Sequence, residues 1–252
     1  MISRQILLEA IDTELSIDAF KDYTVNGLQV EGRDRIERVL TGVTACQALL
    51  DEAVAWNADA VLVHHGYFWK NEPVSITGMK HRRLATLLKN DINLLAYHLP
   101  LDAHVSMGNN ACLGRRLGFE VERCLDGELG RGLLWMGVPQ VELDSRALAG
   151  LVERTLDRTP TLIEGHSGII RRVAWCTGGA QDMLPMAAEA GADAFISGEI
   201  SERTTHMARE MGVTYLAAGH HATEREGVQA LGNWLAGRFG IEHRFMDIDN
   251  PA

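Results

Sequence analysis

A shift of 134 positions lays residues 38–65, RVLTGVTACQALLDEAVAWNADAVLVHH, over residues 172–199, RVAWCTGGAQDMLPMAAEAGADAFISGE, without a gap. Arg38, Val39, Gln47, Leu50 and Ala53 fall on identical residues, and Ala58-Asp59-Ala60 falls on Ala192-Asp193-Ala194. The apolar pattern agrees as well as the letters do. The chain therefore reads as a duplication, and its fold must be one that the same unit can build twice. Each copy offers an apolar strand (39–43; 173–176), a turn with Thr or Gly, and a helix (47–56; 182–190). A Gly or Asn break and a β-branched strand (60–63; 194–197) complete it. Further strands at 93–99 and 213–219 follow helices around 82–88 and 202–210. Strands alternating with helices of this length predict βαβ crossovers and a largely parallel sheet.

The middle, about 119–170, looks different. RGLLWMGV predicts a strand, and LDSRALAGLVERTLDRTP an amphipathic helix stopped before Pro160. The boundary between the halves is placed near residue 125, giving repeats over 1–125 and 126–252. The expected class is α/β, with two duplicated repeats and mainly parallel mixed sheets.

Composition narrows the function classes. Thirty-four acids against 24 bases leave a net charge of −10, which argues against a sequence-independent grip on nucleic acid. It does not oppose a metal site, because a bound cation reverses the local field. Cys46, Cys112, Cys124 and Cys176 form no C-x-x-C pair, so neither a disulfide framework nor a thiolate zinc site is expected. The first fifteen residues alternate charged and apolar positions at helical spacing, unlike a signal or transit peptide, and no apolar run reaches membrane-spanning length. A reducing cytoplasm is the expected home.

In parallel α/β sheets, ligands collect beyond the carboxyl ends of the strands. His64 and His65 of VLVHHGYFW follow one expected strand, and His98, Asp102 and His104 of YHLPLDAH follow another. Glu199 follows a third, and His220, His221 and Glu224 of AAGHHATE a fourth. Neighbouring side chains on a regular strand point to opposite faces. If the pleat ends at residue 63, however, the two imidazoles can splay toward two adjacent points, which suits two ions better than one. His220 and Glu224 are four apart and share a face if a helix opens there. Asp102 adds an oxygen ligand. Three imidazoles and two carboxylates part-fill two coordination spheres and leave positions for water.

Each piece alone has an ordinary explanation. A histidine at a strand end is usually a hydrogen-bonded structural residue, a glutamate in a first helical turn suits the dipole, and an aspartate after proline forms turns. Convergence from both halves at one sheet edge is what makes the metal case. His98 and His104 flank Asp102 and read either as residues that orient the ligands or as ordinary loop histidines. His221 points about a third of a turn from His220 and is left out. CTGGA, at 176–180, could cradle a phosphate or simply pack tightly.

GLQVEG, TGVTACQALLDEAV, ADAVLVHHGYFW, HLPLDAH, NNA, TGGAQDM, ADAFISGE and AAGHHATE, in that order, resemble the NIF-three-like family. Many of its bacterial members are labelled type 2 homologues of GTP cyclohydrolase I, and the match is nearest the short branch without an inserted domain. The resemblance implies two intertwined α/β repeats, a toroidal homohexamer built as a trimer of dimers, and a dinuclear metal centre facing its cavity. It implies one ion on His65, Asp102 and Glu224 and a second on His64, His220 and Glu224, with Glu224 bridging.

Two functions follow. One is a metal-dependent hydrolase acting on a small anionic or nucleotide-like molecule, with Glu199 or His98 moving protons and GTP ring opening as its narrower form. The other is a non-catalytic metal-binding ring serving as adaptor or regulator. Sites built only from His, Asp and Glu usually keep open positions, which favours the enzyme. Imidazole and carboxylate accept zinc, iron, manganese, cobalt or nickel.

Overall fold

The computed structural model describes residues 1–127 and 130–252. In chain order the first elements are β1 (Ile2–Ser3), α1 (Arg4–Leu15), β2 (Gly27–Val30), β3 (Arg35–Ile36) and β4 (Arg38–Thr44). Then come α2 (Gln47–Ala55), β5 (Ala60–His65), α3 (Gly78–Asn90), β6 (Asn93–Ala96) and α4 (Leu99–Ala103). The middle holds α5 (Asn109–Leu117), β7 (Phe119–Gly127), β8 (Gly130–Pro139), α6 (Ser145–Leu156) and β9 (Thr161–Ile163). Next are β10 (Val173–Trp175), α7 (Leu184–Glu189), β11 (Ala194–Ser197), α8 (Glu202–Met211) and β12 (Thr214–Ala217). The chain ends with α9 (His220–Thr223), α10 (Arg225–Phe239) and β13 (Glu242–Phe245).

The chain forms two compact units. One comprises Met1–Leu101 with Gly227–Asp249, the other Asp102–Glu226 with Asn250–Ala252. This division does not run through residue 125, which lies inside β7, a strand continuous to Gly127 and paired with β8.

The first unit holds a five-stranded sheet in the order β13-β4-β5-β6-β2. β13, β4, β5 and β6 are parallel, and β2 closes the edge antiparallel to β6. β4 and β5 are mostly apolar and are buried along almost their whole length, as strands covered on both faces must be. Their core includes Leu40, Leu49, Leu50, Val61, Val63, Leu87 and Leu94. Gly42 leaves room for the Leu49 side chain, since a Cβ there would fall 2.6 Å from Leu49 Cδ2.

The second unit holds a six-stranded sheet, β7-β8-β10-β11-β12-β9, whose central β10, β11 and β12 are parallel. β8 and β9 flank them antiparallel. Period-two alternation splits its core between two faces. Trp175, Ile196 and Leu216 pack with Phe119, Trp135, Leu148 and Val152 on one side. Phe195 and Tyr215 pack with Met136, Leu184 and Ala208 on the other. The helix expected before Pro160 is α6, capped by Asp144 Oδ1, which accepts from the N–H of Ala147 at 2.8 Å.

The duplication survives at the level of hydrogen-bond register. Val39 pairs with Ala60 and Thr41 with Leu62, while Val173 pairs with Ala194 and Trp175 with Ile196, each at the same offset of 134. The shared Ala-Asp-Ala motif explains itself here. Asp59 Oδ2 accepts from the N–H groups of Glu37 and Arg38 at 2.8 and 2.9 Å. Asp193 Oδ2 accepts from Arg171 and Arg172 at the same two distances. Each aspartate pins the entry to its own β4- or β10-type strand, a structural role that both copies kept.

Candidate metal centre

Within the first unit, β5 runs through both histidines, and Thr44 still pairs with His65. The expectation that the pleat gives way after residue 63 is corrected on this side. The N–H of Ala45 donates to the carbonyl of His65 at 2.9 Å, so pairing with the β4 side continues to the end of the motif. Toward β6 the ladder does stop at Val63. The two imidazoles nevertheless approach, with ring centroids 4.5 Å apart and planes inclined by 45°. Both rings stand at the carboxyl end of β5, the central strand of its sheet, where pairing on the β6 side has already stopped.

His98, just beyond β6, joins them: one ligand-capable atom from each of His64, His65 and His98 lies within 4.8 Å of the others. Nδ1 of His64 lies 2.9 Å from the carbonyl oxygen of Tyr97. A carbonyl can only accept, so Nδ1 carries the proton and the lone pair sits on Nε2. Nδ1 of His98 faces Asp22 Oδ1 at 2.9 Å, and Nδ1 of His65 faces Thr44 Oγ1 at 3.3 Å. Asp22 is itself gripped by Asn26 Nδ2 at 2.9 Å and the N–H of Leu99 at 3.0 Å. Burial would raise its carboxyl pKa, but His98 and these donors outweigh that and hold it below its usual value.

Within the second unit, β11 leads to Glu199, β12 to His220 and Glu224, and β10 to the 177–180 loop, while Asp102 stands on α4. α9 spans only His220–Thr223, so Glu224 stands at its C-cap rather than on a continuous helical face. Glu224 Oε2 still lies 3.3 Å from Nε2 of His220. The other ring nitrogen, Nδ1, meets Glu199 Oε1 at 2.6 Å. Burial would lower the pKa of His220, but the Glu224 and Glu199 carboxylates override it and push it up to about 9.

The 177–180 loop ties these groups to Asp102. Asp102 Oδ1 accepts from Asn109 Nδ2 at 2.8 Å and Thr177 Oγ1 at 3.2 Å. The N–H of Gly178 donates to Thr223 Oγ1 at 3.0 Å. Gly178 has φ +69°, and a Cβ on it would sit 2.1 Å from Glu224 Oε1 and 3.1 Å from His220 Nε2. The CTGGA segment is therefore a tight seat for carboxylates. A loop facing Glu199, Glu224 and Asp102 is a poor phosphate cradle.

The side chains of each unit, taken by itself, are of the kinds that divalent ions bind. His64, His98 and His220 each have Nδ1 against an oxygen acceptor, the arrangement that fixes a ligating imidazole and raises its basicity. Asp102 and Glu224 are 6% and 2% exposed, a cost that carboxylates bear when a cation or firm donors compensate. Asp22 was not singled out in the sequence, and Thr177 and Asn109 entered it only as letters of the CTGGA and NNA motifs, without these roles. His104 accepts from the N–H groups of Ser106 and Met107 through Nδ1, and His221 donates its backbone N–H to Ala252.

Among the described residues no helix is long and apolar enough to cross a membrane. The family Duf34/NIF3 (NGG1p interacting factor 3) matches residues 2–251. A Pseudomonas aeruginosa protein called GTP cyclohydrolase 1 type 2 homolog is 53% identical over 251 residues, covering 100% of this chain and 99% of that one. The solved structure of protein ybgI, described as of unknown function, superposes with a TM-score of 0.96 at 48% identity, covering 100% of both chains. That of TTHA1606 from Thermus thermophilus gives 0.87 at 33% identity, again over 100% of both. Matched over nearly its whole length by the family model and by a relative of 53% identity, the chain belongs to the Duf34/NIF3 family.

Proposed function

We propose that His64 and His65 of the first unit and Asp102, His220 and Glu224 of the second together hold two divalent transition-metal ions, and that the protein is a metal-dependent hydrolase. The pairing follows the family resemblance: His65, Asp102 and Glu224 on one ion, His64, His220 and Glu224 on the other. The observation that carries this reading is the anchoring of Nδ1 in His64 and His220, to a carbonyl and to Glu199, the bracing that a ligating imidazole takes.

Divalent ions there supply Lewis acidity toward a phosphoryl or carbonyl oxygen. The chain's own residues do the rest. Glu199 holds the Nδ1 proton of His220, and Thr177 and Asn109 fix the rotamer of Asp102. Asp22 holds His98 in a position to hold or pass a proton. A donor set without thiolates keeps positions for water and substrate, which favours an enzyme over an adaptor ring. The substrate class is a small anionic or nucleotide-like molecule. The name of the Pseudomonas relative supports a purine nucleotide. The assembly we propose is a homohexamer, read out by light scattering.

The deciding experiment loads the protein with zinc, manganese, iron, cobalt or nickel and screens phosphoesters, nucleotides and cyclic amides for turnover. Turnover that tracks metal content supports the hydrolase. Protein that holds two ions per chain and turns over nothing in the panel supports the adaptor ring instead.

A further inference from the structure

The twelve residues between β5 and α3, 66–77, form a long connection without regular structure, and such connections are usually functional. Phe68 sits in it with φ +65°, a left-handed conformation that a bulky residue avoids unless its surroundings impose it. They do. Glu72 Oε2 accepts from the N–H of Phe68 at 2.7 Å and of Trp69 at 3.3 Å. Lys80 Nζ pairs with Glu72 at 3.3 Å and lies 4.9 Å from the Phe68 ring centroid. Trp69 Nε1 donates to the carbonyl of Gly66 at 3.3 Å, closing the turn on itself.

This strained turn delivers the Trp69 indole to the histidine cluster. Its ring lies 5.2 Å from that of His98 and 5.9 Å from that of His65. Tyr23 completes the wall, 5.8 Å from Trp69 and 5.1 Å from His98. The N–H of Lys70 donates to the Tyr23 carbonyl at 2.8 Å, so loop and wall are stitched together. Tyr23 is 43% exposed and Trp69 only half-buried. Aromatic rings held by backbone strain, yet left partly open beside imidazoles, are arranged for a ligand rather than for a core.

We infer that Trp69 and Tyr23 form a stacking subsite for a planar heteroaromatic ring, set beside His65 and His98. This rests on the metal-centre reading above and names the half of the substrate that the ions do not hold. Indole and phenol π-faces take any planar unsaturated ring of nucleobase size, with little preference among bases. An anionic group on the same molecule is then left for the ions.

The test is calorimetric titration of the metal-loaded full chain with GTP, ATP and inorganic tripolyphosphate, in wild type, Trp69→Leu and Trp69→Phe. Wild type should bind both nucleotides at least about tenfold more tightly than tripolyphosphate. Trp69→Leu should weaken both nucleotides by about five- to hundredfold, the range that loss of one base–aromatic stack spans. It should leave tripolyphosphate unchanged, and Trp69→Phe should restore most of the loss. Nucleotides binding no better than tripolyphosphate in wild type, or equal weakening of all three in Trp69→Leu, overturns the subsite. Elemental analysis of the same samples separates the two readings. Two ions retained with nucleotide affinity unmoved by Trp69→Leu sinks the subsite alone. Calorimetric titration of chelator-treated protein with guanosine reads stacking without ions: binding lost in Trp69→Leu and largely kept in Trp69→Phe upholds the subsite even if the metal reading fails, and equal binding in Trp69→Leu overturns it.

Discussion

Glu199 places a carboxylate oxygen 2.6 Å from Nδ1 of His220, and the same imidazole turns Nε2 toward Glu224 at 3.3 Å. In the duplication Glu199 corresponds to His65. Where the first copy carries a ligand-type imidazole, the second carries the carboxylate that braces one. The same strand end has thus been put to two uses, and the difference is testable.

Glu199→Gln should weaken divalent-metal affinity by about 10–100-fold, the usual cost of removing a carboxylate partner from a ligating histidine. Competition against a chromophoric chelator measures it. The melting temperature of chelator-treated protein should change little, because Glu199 is partly exposed. Wild-type metal affinity in the variant would remove Glu199 from the centre.

Protein purified without chelator should carry close to two ions per chain, and Glu224→Gln should disturb both. His65→Ala should cost the ion shared with Asp102, and His64→Ala the ion shared with His220. None of these variants should unfold the chain, since each unit has its own apolar core. Two full equivalents of metal in Glu224→Gln would end the bridging assignment.

Gly178→Ala should cost the metal as well as stability. The left-handed backbone at φ +69° is strained by any Cβ, and that atom would meet Glu224 Oε1 at 2.1 Å. We expect about 1–3 kcal/mol of destabilisation from strain and overpacking. Gly179→Ala has ordinary contacts, 3.4 Å to the Glu199 carboxylate, and should keep fold and metal. Paired chemical melts and metal analysis compare them. Equal behaviour of the two variants would contradict the seat proposed for residue 178.

Asp59→Ala and Asp193→Ala should each destabilise the protein by about 2–4 kcal/mol, through loss of two charge-assisted hydrogen bonds to backbone N–H groups. Asp59, which also pairs with Arg33 Nη1 at 3.0 Å, should cost the more. Denaturant titration is the measure. Metal per folded chain should stay constant, because neither aspartate belongs to the centre.

His243 offers a pH prediction away from the metal. Burial lowers its pKa below the usual 6.5. Nε2 and Nδ1 lie 2.8 and 3.0 Å from Thr41 Oγ1 and Asn233 Oδ1, which suit the neutral ring. A histidine with a depressed folded pKa adds stability above about pH 6.5 and loses it as pH falls below that value. The stability gap between wild type and His243→Gln should therefore be widest near pH 7.5 and shrink toward pH 5. A gap that widens with acid would reverse the assignment.

What the sequence determined by itself was the repeated unit and everything that depends on local pattern. Apolar runs with β-branched residues set β4, β5, β10 and β11, and the offset of 134 reappears in their register. The positions of His98, Asp102, Glu199, His220 and Glu224 beyond strand ends were legible for the same reason. Burial periodicity is written in neighbouring letters. Tertiary structure decided the edges and the braces. β13 returns from the far end of the chain to lie parallel beside β4, whereas β8 takes the corresponding edge antiparallel to β10. A one-dimensional pattern fixes which face of a strand is buried, not which distant strand fills its open row of N–H and C=O groups. The partners of the imidazoles are equally remote: Asp22 is 76 residues from His98, and Tyr97 is 33 from His64. A single acceptor leaves no periodic trace, so only the folded chain could reveal which oxygen holds each ring.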